Sequence, residues 1–348
     1  MRRPAIALAI IALGFSAQAA GLPHNLVSCP ASAKPGIVVS AAGEAHLDIS
    51  VMLYNVEGLP FPARMNREPD LARIADALAV LRAACNAPQI IVVQEAFSAT
   101  AASIGRRAGY PYIASGPGAD AVRQSGAAAL PAGFLAGRRF AAGERAPKLI
   151  NGGLQVLSDF PMAGIRAEPY SATACAGTDC LANKGAMLVQ LQIPGLPAPV
   201  DLLNTHMNSR KGAGVPFART DTAHKAQTQE LAGFLSRHRT RGNPLLVAAD
   251  FNMRAAPERF AHFERHMPHT LVHRACNAAP CAVGFQFETA APWLETQDLQ
   301  AFEDGPTVRI RPLRLTAHFD GKHSPMLSDH IATIVTYRLS WQQAQRVG

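Results

Sequence analysis

Aromatic side chains are scarce in this chain: phenylalanine, tyrosine and tryptophan together make 6% of its 348 residues. Surfaces that grip single-stranded nucleic acid interleave aromatics with basic residues so that bases can stack, and no stretch here has that composition. Charged residues are also few, at 17%, and form no long run of one sign, which excludes a charged interaction tail. Beyond the N-terminus there is no apolar segment of ~20 residues to span a bilayer. There is no internal repeat and no linker clear enough to divide the chain. No histidine pair accompanies the cysteines at a zinc-site spacing. These absences leave one large domain as the expected organisation.

What the chain does have is apolar bulk. At 48% hydrophobic residues it can bury a sizeable core. The opening stretch, MRRPAIALAIIALGFSAQAA, joins Arg2 and Arg3 to an apolar run over 5–15 and a small-x-small triplet, Ala17-Gln18-Ala19. That is the pattern of an export signal cleaved near Ala19/Ala20, too short for a membrane span. The expected layout is a signal peptide at 1–19, an N-terminal extension at 20–46 and a folded domain at 47–348, in a secreted or periplasmic protein. Six cysteines suit that compartment. CAGTDC and CNAAPC share one spacing, so the expected bridges are Cys175–Cys180 and Cys276–Cys281, leaving Cys29 with Cys85. By loop-closure entropy each short bridge contributes only about 2 kcal/mol and mainly shapes its loop. The formal charge of +8, or +6 without Arg2 and Arg3, suits an anionic partner. Nucleic acid, phosphorylated metabolites and membrane surfaces all qualify.

Period-two alternation over 47–55 puts Leu47, Ile49, Val51 and Leu53 on one face of a strand that ends at Asn55. Residues 67–84 carry Leu71, Ile74, Leu78 and Leu81 at helical spacing. Further strands are expected at 89–93, 154–157, 185–193, 199–205, 244–249, 308–317 and 331–339, and a helix at 220–238 with Leu231, Phe234 and Leu235 inward. The Gly/Ala-rich stretch 115–150 reads as irregular surface. Alternating strands and helices make an α/β fold.

Five of these apolar strands stop at a polar residue able to do chemistry: Asn55, Glu95, His206, Asp250 and Asp329. One such ending is as readily a turn or cap. Five together fit a sheet whose departing loops aim side chains at one point. Glu95 and Asp329 suit a hard divalent cation such as magnesium. Asn55 and Asn252 can bond a phosphate without adding negative charge. Asp250 and Asn252, two apart, share a face ~6–7 Å apart in extended backbone, room for an attacking water and a phosphoryl oxygen. Asp329 and His330 can serve one site only if residues 328–330 bend. His330 then suits a general base beside a carboxylate, and His206 a stabiliser of phosphate charge or a proton donor.

Asn55 in YNVEGLP, Glu95 in VVQE, His206 in NTH, Asp250 and Asn252 in DFN, and Asp329 and His330 in SDH resemble, in this order, the motif set of the endonuclease/exonuclease/phosphatase superfamily. The resemblance spans residues 47–339. It implies a four-layer α/β/β/α sandwich with two central mixed β-sheets, and a catalytic domain with a metal-dependent phosphodiesterase site at one sheet edge. It implies Mg2+, Mn2+ or another divalent cation held mainly by Glu95, with Asn55 beside it and Glu57 as a further contact. Asp250 would activate the water, Asn252 and His206 would hold the phosphate, and Asp329 with His330 would form the acid–base pair. The stretches GGLQVLSDFPM and LANKGAMLVQL resemble the neutral and bacterial sphingomyelinase branch, which implies Lys184 near the phosphate.

The expected reaction is in-line attack of water on a phosphate ester. A phospholipid is the favoured substrate, in a sphingomyelinase or phospholipase C type of hydrolysis. A peripheral membrane contact is expected through Phe285, Phe287 and Trp293 on the loop after CNAAPC. A secreted nuclease, with Arg210, Lys211 and Arg219 on a nucleic-acid backbone, and a sugar or inositol phosphate phosphatase are the alternatives. No obligate protein partner is expected.

Overall fold

The computed structural model describes residues 36–285 and 289–343. Strand β1 (Val38–Val39) lies beside β2 (Glu44–Asn55) in a first sheet with β3 (Ile90–Gln94), β4 (Tyr112–Ser115) and β5 (Gln155–Ser158). The second sheet takes β6 (Met162–Pro169), β7 (Gly185–Leu191), β8 (Val200–His206), β9 (Leu245–Asp250), β10 (Thr270–Leu271) and β12 (Asp298–Glu303). β11 (Ala282–Val283), β13 (Arg309–His318) and β14 (Ala332–Gln342) return to the first sheet. The orders are β11-β13-β14-β2-β3-β5-β4 and β10-β12-β9-β8-β7-β6. Both sheets are mixed: β2–β3 and β8–β9 run parallel, while β14–β2 and β12–β9 run antiparallel.

Side-chain alternation explains the layering. In β2, Leu47, Ile49, Val51 and Leu53 face inward between the sheets, where they meet Met187, Val189, Leu202 and Leu246. Met52 and Tyr54 point the other way, into a second core with α1 (Glu68–Ala83) and α2 (Ala99–Ala108), through Leu71, Ile74, Leu78, Ala101 and Ile104. On the far side, Leu188, Leu203 and Val247 meet Leu231, Phe234 and Leu235 of α4 (Phe217–His238) and Phe260 and Phe263 of α5 (Pro257–His266). The result is helix, sheet, sheet, helix, the four layers that the motif resemblance implied. Strands buried on both faces need apolar residues at nearly every position, and VMLY and IIVV supply them.

Several elements were not foreseen, for identifiable reasons. Helix α2 is ATAASIGRRA, with few large apolar residues. It is defined by its ends, where Ser98 accepts from Ala101 N and Gly109 takes φ 82°. Strand β12, DLQAFE, places polar Asp298 and Gln300 toward the middle of the sandwich and only Leu299 and Ala301 on the helix-covered face. Its pattern therefore does not look like a buried strand. β4, β6, β10, β11, α5 and α6 (Val272–Ala278) were also missed, and the first sheet begins at Val38, inside the stretch expected as an extension.

Apart from α3 (Ala132–Ala136), residues 116–149 are irregular, as read, yet they are firmly moored. Arg123 lies 3.3 Å from Glu168 and 3.6 Å from Glu230, both buried. Asn183 donates to the carbonyls of Gly118 and Ala121 at 2.8 and 2.9 Å. Cys175–Cys180 and Cys276–Cys281 are bonded as expected. The signal stretch and Cys29 lie outside the described residues. Among those described, no helix is long and apolar enough to cross a membrane.

Candidate active site

Asn55, His206 and Asp250 end their strands, and Glu95 follows its own, at one end of the sandwich, where Asp329, which ends no strand, precedes β14; the register shows why. Asn55, last in β2, stands opposite Gln94, last in its parallel neighbour β3. His206 stands opposite Asp250 at the ends of parallel β8 and β9. β12, antiparallel to β9, starts with Asp298 opposite Asp250. β7 starts just after Lys184 and β14 just after His330. Below this rim the sheets are tied to each other. Gln94 donates to Asn204 Oδ1 at 2.7 Å, and Asn204 Nδ2 donates to Val93 O and Gln155 O at 3.1 and 3.0 Å. Buried amide pairs of this kind fix the spacing of the two sheets where the site needs it.

Glu95 and Asn252 have φ of 58° and 53°, a backbone region that side-chain-bearing residues avoid. Such strain persists only where neighbours impose it. Ala96 N is held by Gly153 O at 2.9 Å, and Asn252 donates from its backbone to Asp250 Oδ1 at 3.0 Å and from its side chain to Met207 O at 3.1 Å. Gly58 closes from the other side. A Cβ there would come within 2.3 Å of Glu95 O.

The centre is a carboxylate pair bridged by one amide. Asn55 Nδ2 donates to Glu95 Oε1 at 3.0 Å and to Asp250 Oδ2 at 3.1 Å. Its oxygen accepts from Glu57 N at 3.0 Å, which fixes the orientation of the amide. Burial raises the proton affinity of Glu95 against the opposing Asn55 bond and the Lys184 charge. Burial and the nearby Asp298 raise that of Asp250. His206 Nε2 lies 3.4 Å from Asp250 and 3.9 Å from Glu95. Lys184 Nζ donates to it at 3.1 Å, to Asp179 at 2.9 Å and to Met207 O at 3.2 Å. Burial, with the charges of Lys184 and His330, pushes the His206 pKa well below the usual histidine range, which favours the neutral ring.

His330 sits on the bend that its sequence position required. Its N–H donates to Ser328 Oγ at 3.2 Å, and that hydroxyl donates to Asn55 O at 2.7 Å. Its carboxylate partner is not the adjacent one. Asp329 is half-exposed and its Oδ1 is 3.8 Å from Nε2, whereas Asp298 Oδ2 takes Nδ1 at 2.6 Å. The carboxylate bonded to the ring is therefore Asp298, reaching from the start of β12 in the other sheet, while Asp329 on the bend points largely into solvent. Burial alone would lower the His330 pKa, but the Asp298 charge and hydrogen bond, with Asp250 and Asp329, raise it to about 10. Gln297 adds an amide 2.8 Å from Nε2. Sequence reasoning missed Asp298, Gln297 and Asp179, because β12 was not recognised and Asp179 lies inside a disulfide loop.

A divalent cation fits this donor set. Glu95 and Asp250 are carboxylates whose burial disfavours their charge, with only neutral Asn55 bridging them, and a dication would relieve that penalty. Asp250, Asp298 and His330 also bring ligand atoms within 4.8 Å of one another, but Asp298 and His330 already satisfy each other. Of the two further residues expected at the metal, Asn55 bridges the carboxylates through its N–H, and Glu57 is engaged by Arg64, by Arg67 at 3.6 Å and by Asp329 N at 3.0 Å. The expected lipid-facing aromatics are partly buried: Phe285 packs against the inter-sheet core, and Trp293 against the α4–α5 core with Arg274 4.7 Å above its ring. Phe287 lies outside the described residues.

The sequence matches the Endonuclease/Exonuclease/phosphatase family over residues 52–331. The chain belongs to this family. It is accordingly a phosphoric diester hydrolase. Solved structures in the family's fold agree with the two-sheet sandwich. Sphingomyelinase C from Streptomyces griseocarneus has a TM-score of 0.56 and 20% identity, covering 83% of this chain and 99% of its own. Beta toxin from Staphylococcus aureus, in a mutant form with bound magnesium ions, has a TM-score of 0.55 and 12% identity, covering 85% and 100%. A humanized TDP2 from D. rerio has a TM-score of 0.53 and 14% identity, covering 83% and 98%. No curated protein sequence matches the chain.

Proposed function

We propose that this family member is an exported phospholipase C-type hydrolase acting on the phosphodiester of sphingomyelin or a related phospholipid. The observation that carries the reading is Lys184 Nζ, buried 3.1 Å from His206 Nε2 and so beside the Glu95–Asp250 pair, a fixed cation where a phosphate would lie. Lys184 stands in the stretch that resembles the sphingomyelinases, and the neighbouring fold of Sphingomyelinase C supports the same branch. Asp250, with its raised proton affinity, takes the proton of the attacking water. Asn252, His206 and Lys184 contact the phosphoryl oxygens. His330, held as an imidazolium by Asp298, gives its proton to the leaving oxygen. A divalent cation such as magnesium, held chiefly by Glu95, would supply charge neutralisation of the phosphoryl group.

The nuclease alternative loses support because two of its three basic residues are engaged within the fold. Arg219 pairs with Glu144 at 2.9 Å, and Arg210 donates to Ala255 O at 2.7 Å. For membrane contact, exposed Phe61 and Met65 on the loop after β2 and exposed Met326 before His330 replace the aromatics first considered. The two loops are joined by Arg67, which donates to Leu327 O at 2.7 Å. A panel of sphingomyelin and phosphatidylcholine vesicles, plasmid DNA, RNA and a phosphomonoester, with magnesium, tests the proposal. Phosphocholine release should dominate. Cleavage of DNA or the monoester without phosphocholine release overturns it.

A further inference from the structure

The loop that carries Asp250 and Asn252 presents three consecutive carbonyls, and each is held by a donor from a different element. Asp250 O accepts from Met207 N at 3.1 Å, Phe251 O from His224 Nε2 at 2.9 Å, and Asn252 O from Arg259 Nη1 at 2.9 Å. Arg259 Nη1 also donates to Asn208 O at 2.7 Å, on the loop that leaves His206. On its other side, Arg259 Nε meets Asp221 Oδ1 of α4 at 2.6 Å. His224 and Arg259 are each 0% exposed. Arginine is almost never found so deep without a specific partner, and an apolar side chain would fill the same space at no desolvation cost.

We infer that Arg259 and His224 are positioning residues for the phosphodiester reaction, clamping the ends of β8 and β9 together so that Asp250 and Asn252 keep their mutual placement. Arg259 holds the loop after His206 and the loop after Asp250 from one planar fork anchored by Asp221, reinforcing the direct bonds of Met207 N to Asp250 O and of Asn252 Nδ2 to Met207 O. Lysine, a point donor on a flexible stem, does not reproduce that geometry. His224 adds the middle carbonyl from α4. The clamp also accounts for the left-handed backbone of Asn252, whose carbonyl is fixed by Arg259 on one side and whose N–H is fixed by Asp250 on the other. Neither residue was singled out by sequence, since a lone histidine or arginine inside an amphipathic helix looks like an ordinary solvated position.

The inference rests on the proposed roles of Asp250 and Asn252, and steady-state hydrolysis of bis(p-nitrophenyl) phosphate with magnesium separates the two. Wild type, Arg259→Lys, His224→Phe and the remote core variant Leu78→Ala are compared at a temperature where near-ultraviolet circular dichroism shows each to be folded. Misplacement of reacting groups by about 1 Å lowers rates about 10- to 100-fold. Arg259→Lys and His224→Phe should each lose kcat by about that factor with KM changed less than about twofold, while Leu78→Ala keeps wild-type kcat despite a comparable fall in Tm. If one clamp variant does not fold, the other decides. Clamp variants with kcat within about twofold of wild type, or a Leu78→Ala loss of equal size, overturn the inference. A wild type inert toward the diester overturns the underlying phosphodiesterase reading instead.

Discussion

Asp298 and Asp329 differ in place more than in chemistry. One is buried with its carboxylate 2.6 Å from His330 Nδ1; the other is half-exposed and 3.8 Å from Nε2. A general acid depends on the charge that holds its proton, and removing such a contribution costs about 10²–10⁴-fold in rate. Asp298→Asn should therefore lower kcat by about that range, and Asp329→Asn by less than about tenfold, both read in the diester assay. Equal losses would restore the sequence-adjacent pair. At this scale the sequence was informative about identity and silent about pairing. Asn55, Glu95, Lys184, His206, Asp250, Asn252 and His330 are brought to one place; Asn55, Glu95, His206 and Asp250 could be picked out because they end or directly follow apolar strands, Asn252 and His330 by their spacing from a carboxylate, and Lys184 by the motif resemblance. Asp298 begins a strand whose inward face is polar, so no hydrophobic signal marks it.

Loops, rather than strands, set the fine geometry at the scale of elements. The loop after β2 passes so close to Glu95 that only a glycine fits at position 58, with Glu95 O 2.3 Å and Ala101 Cβ 2.6 Å from where a Cβ would stand. Gly58→Ala should destabilise the fold by about 1–3 kcal/mol through overpacking and, by displacing Glu95, weaken magnesium binding in titration calorimetry. Magnesium affinity equal to wild type would detach Glu95 from the metal. Strands with alternating or continuous apolar residues were legible to within a few residues. Helices α2 and α6 and strands β10 and β11 were not, because short elements with small or polar residues owe their form to caps and neighbours rather than to periodicity.

Two sheets stacked face to face, each covered by helices, put the ends of β2, β3, β8 and β9 and the starts of β7, β12 and β14 on one rim, and that rim holds the carboxylates Glu95, Asp250 and Asp298. Burial raises the proton affinity of Glu95 and Asp250 above the ordinary carboxylate range. The folded protein then binds more protons than the unfolded chain over that interval, so without metal its stability falls as pH climbs through it. A bound dication reverses the preference by favouring the ionised pair. Saturating magnesium should therefore raise Tm more at pH 8 than at pH 5 in differential scanning calorimetry, and an equal or larger shift at pH 5 would show that the cation does not act on these carboxylates.

The measurement closest to the central claim is the position of the metal itself. Crystals of the full chain soaked in manganese and measured at its absorption edge should give one anomalous peak touching Glu95 and beside Asp250, on the rim where β3 and β9 end. A peak lodged instead between Asp298 and His330, or none on this rim at all, would contradict the account of a cation-dependent phosphodiesterase built from the converging ends of two sheets.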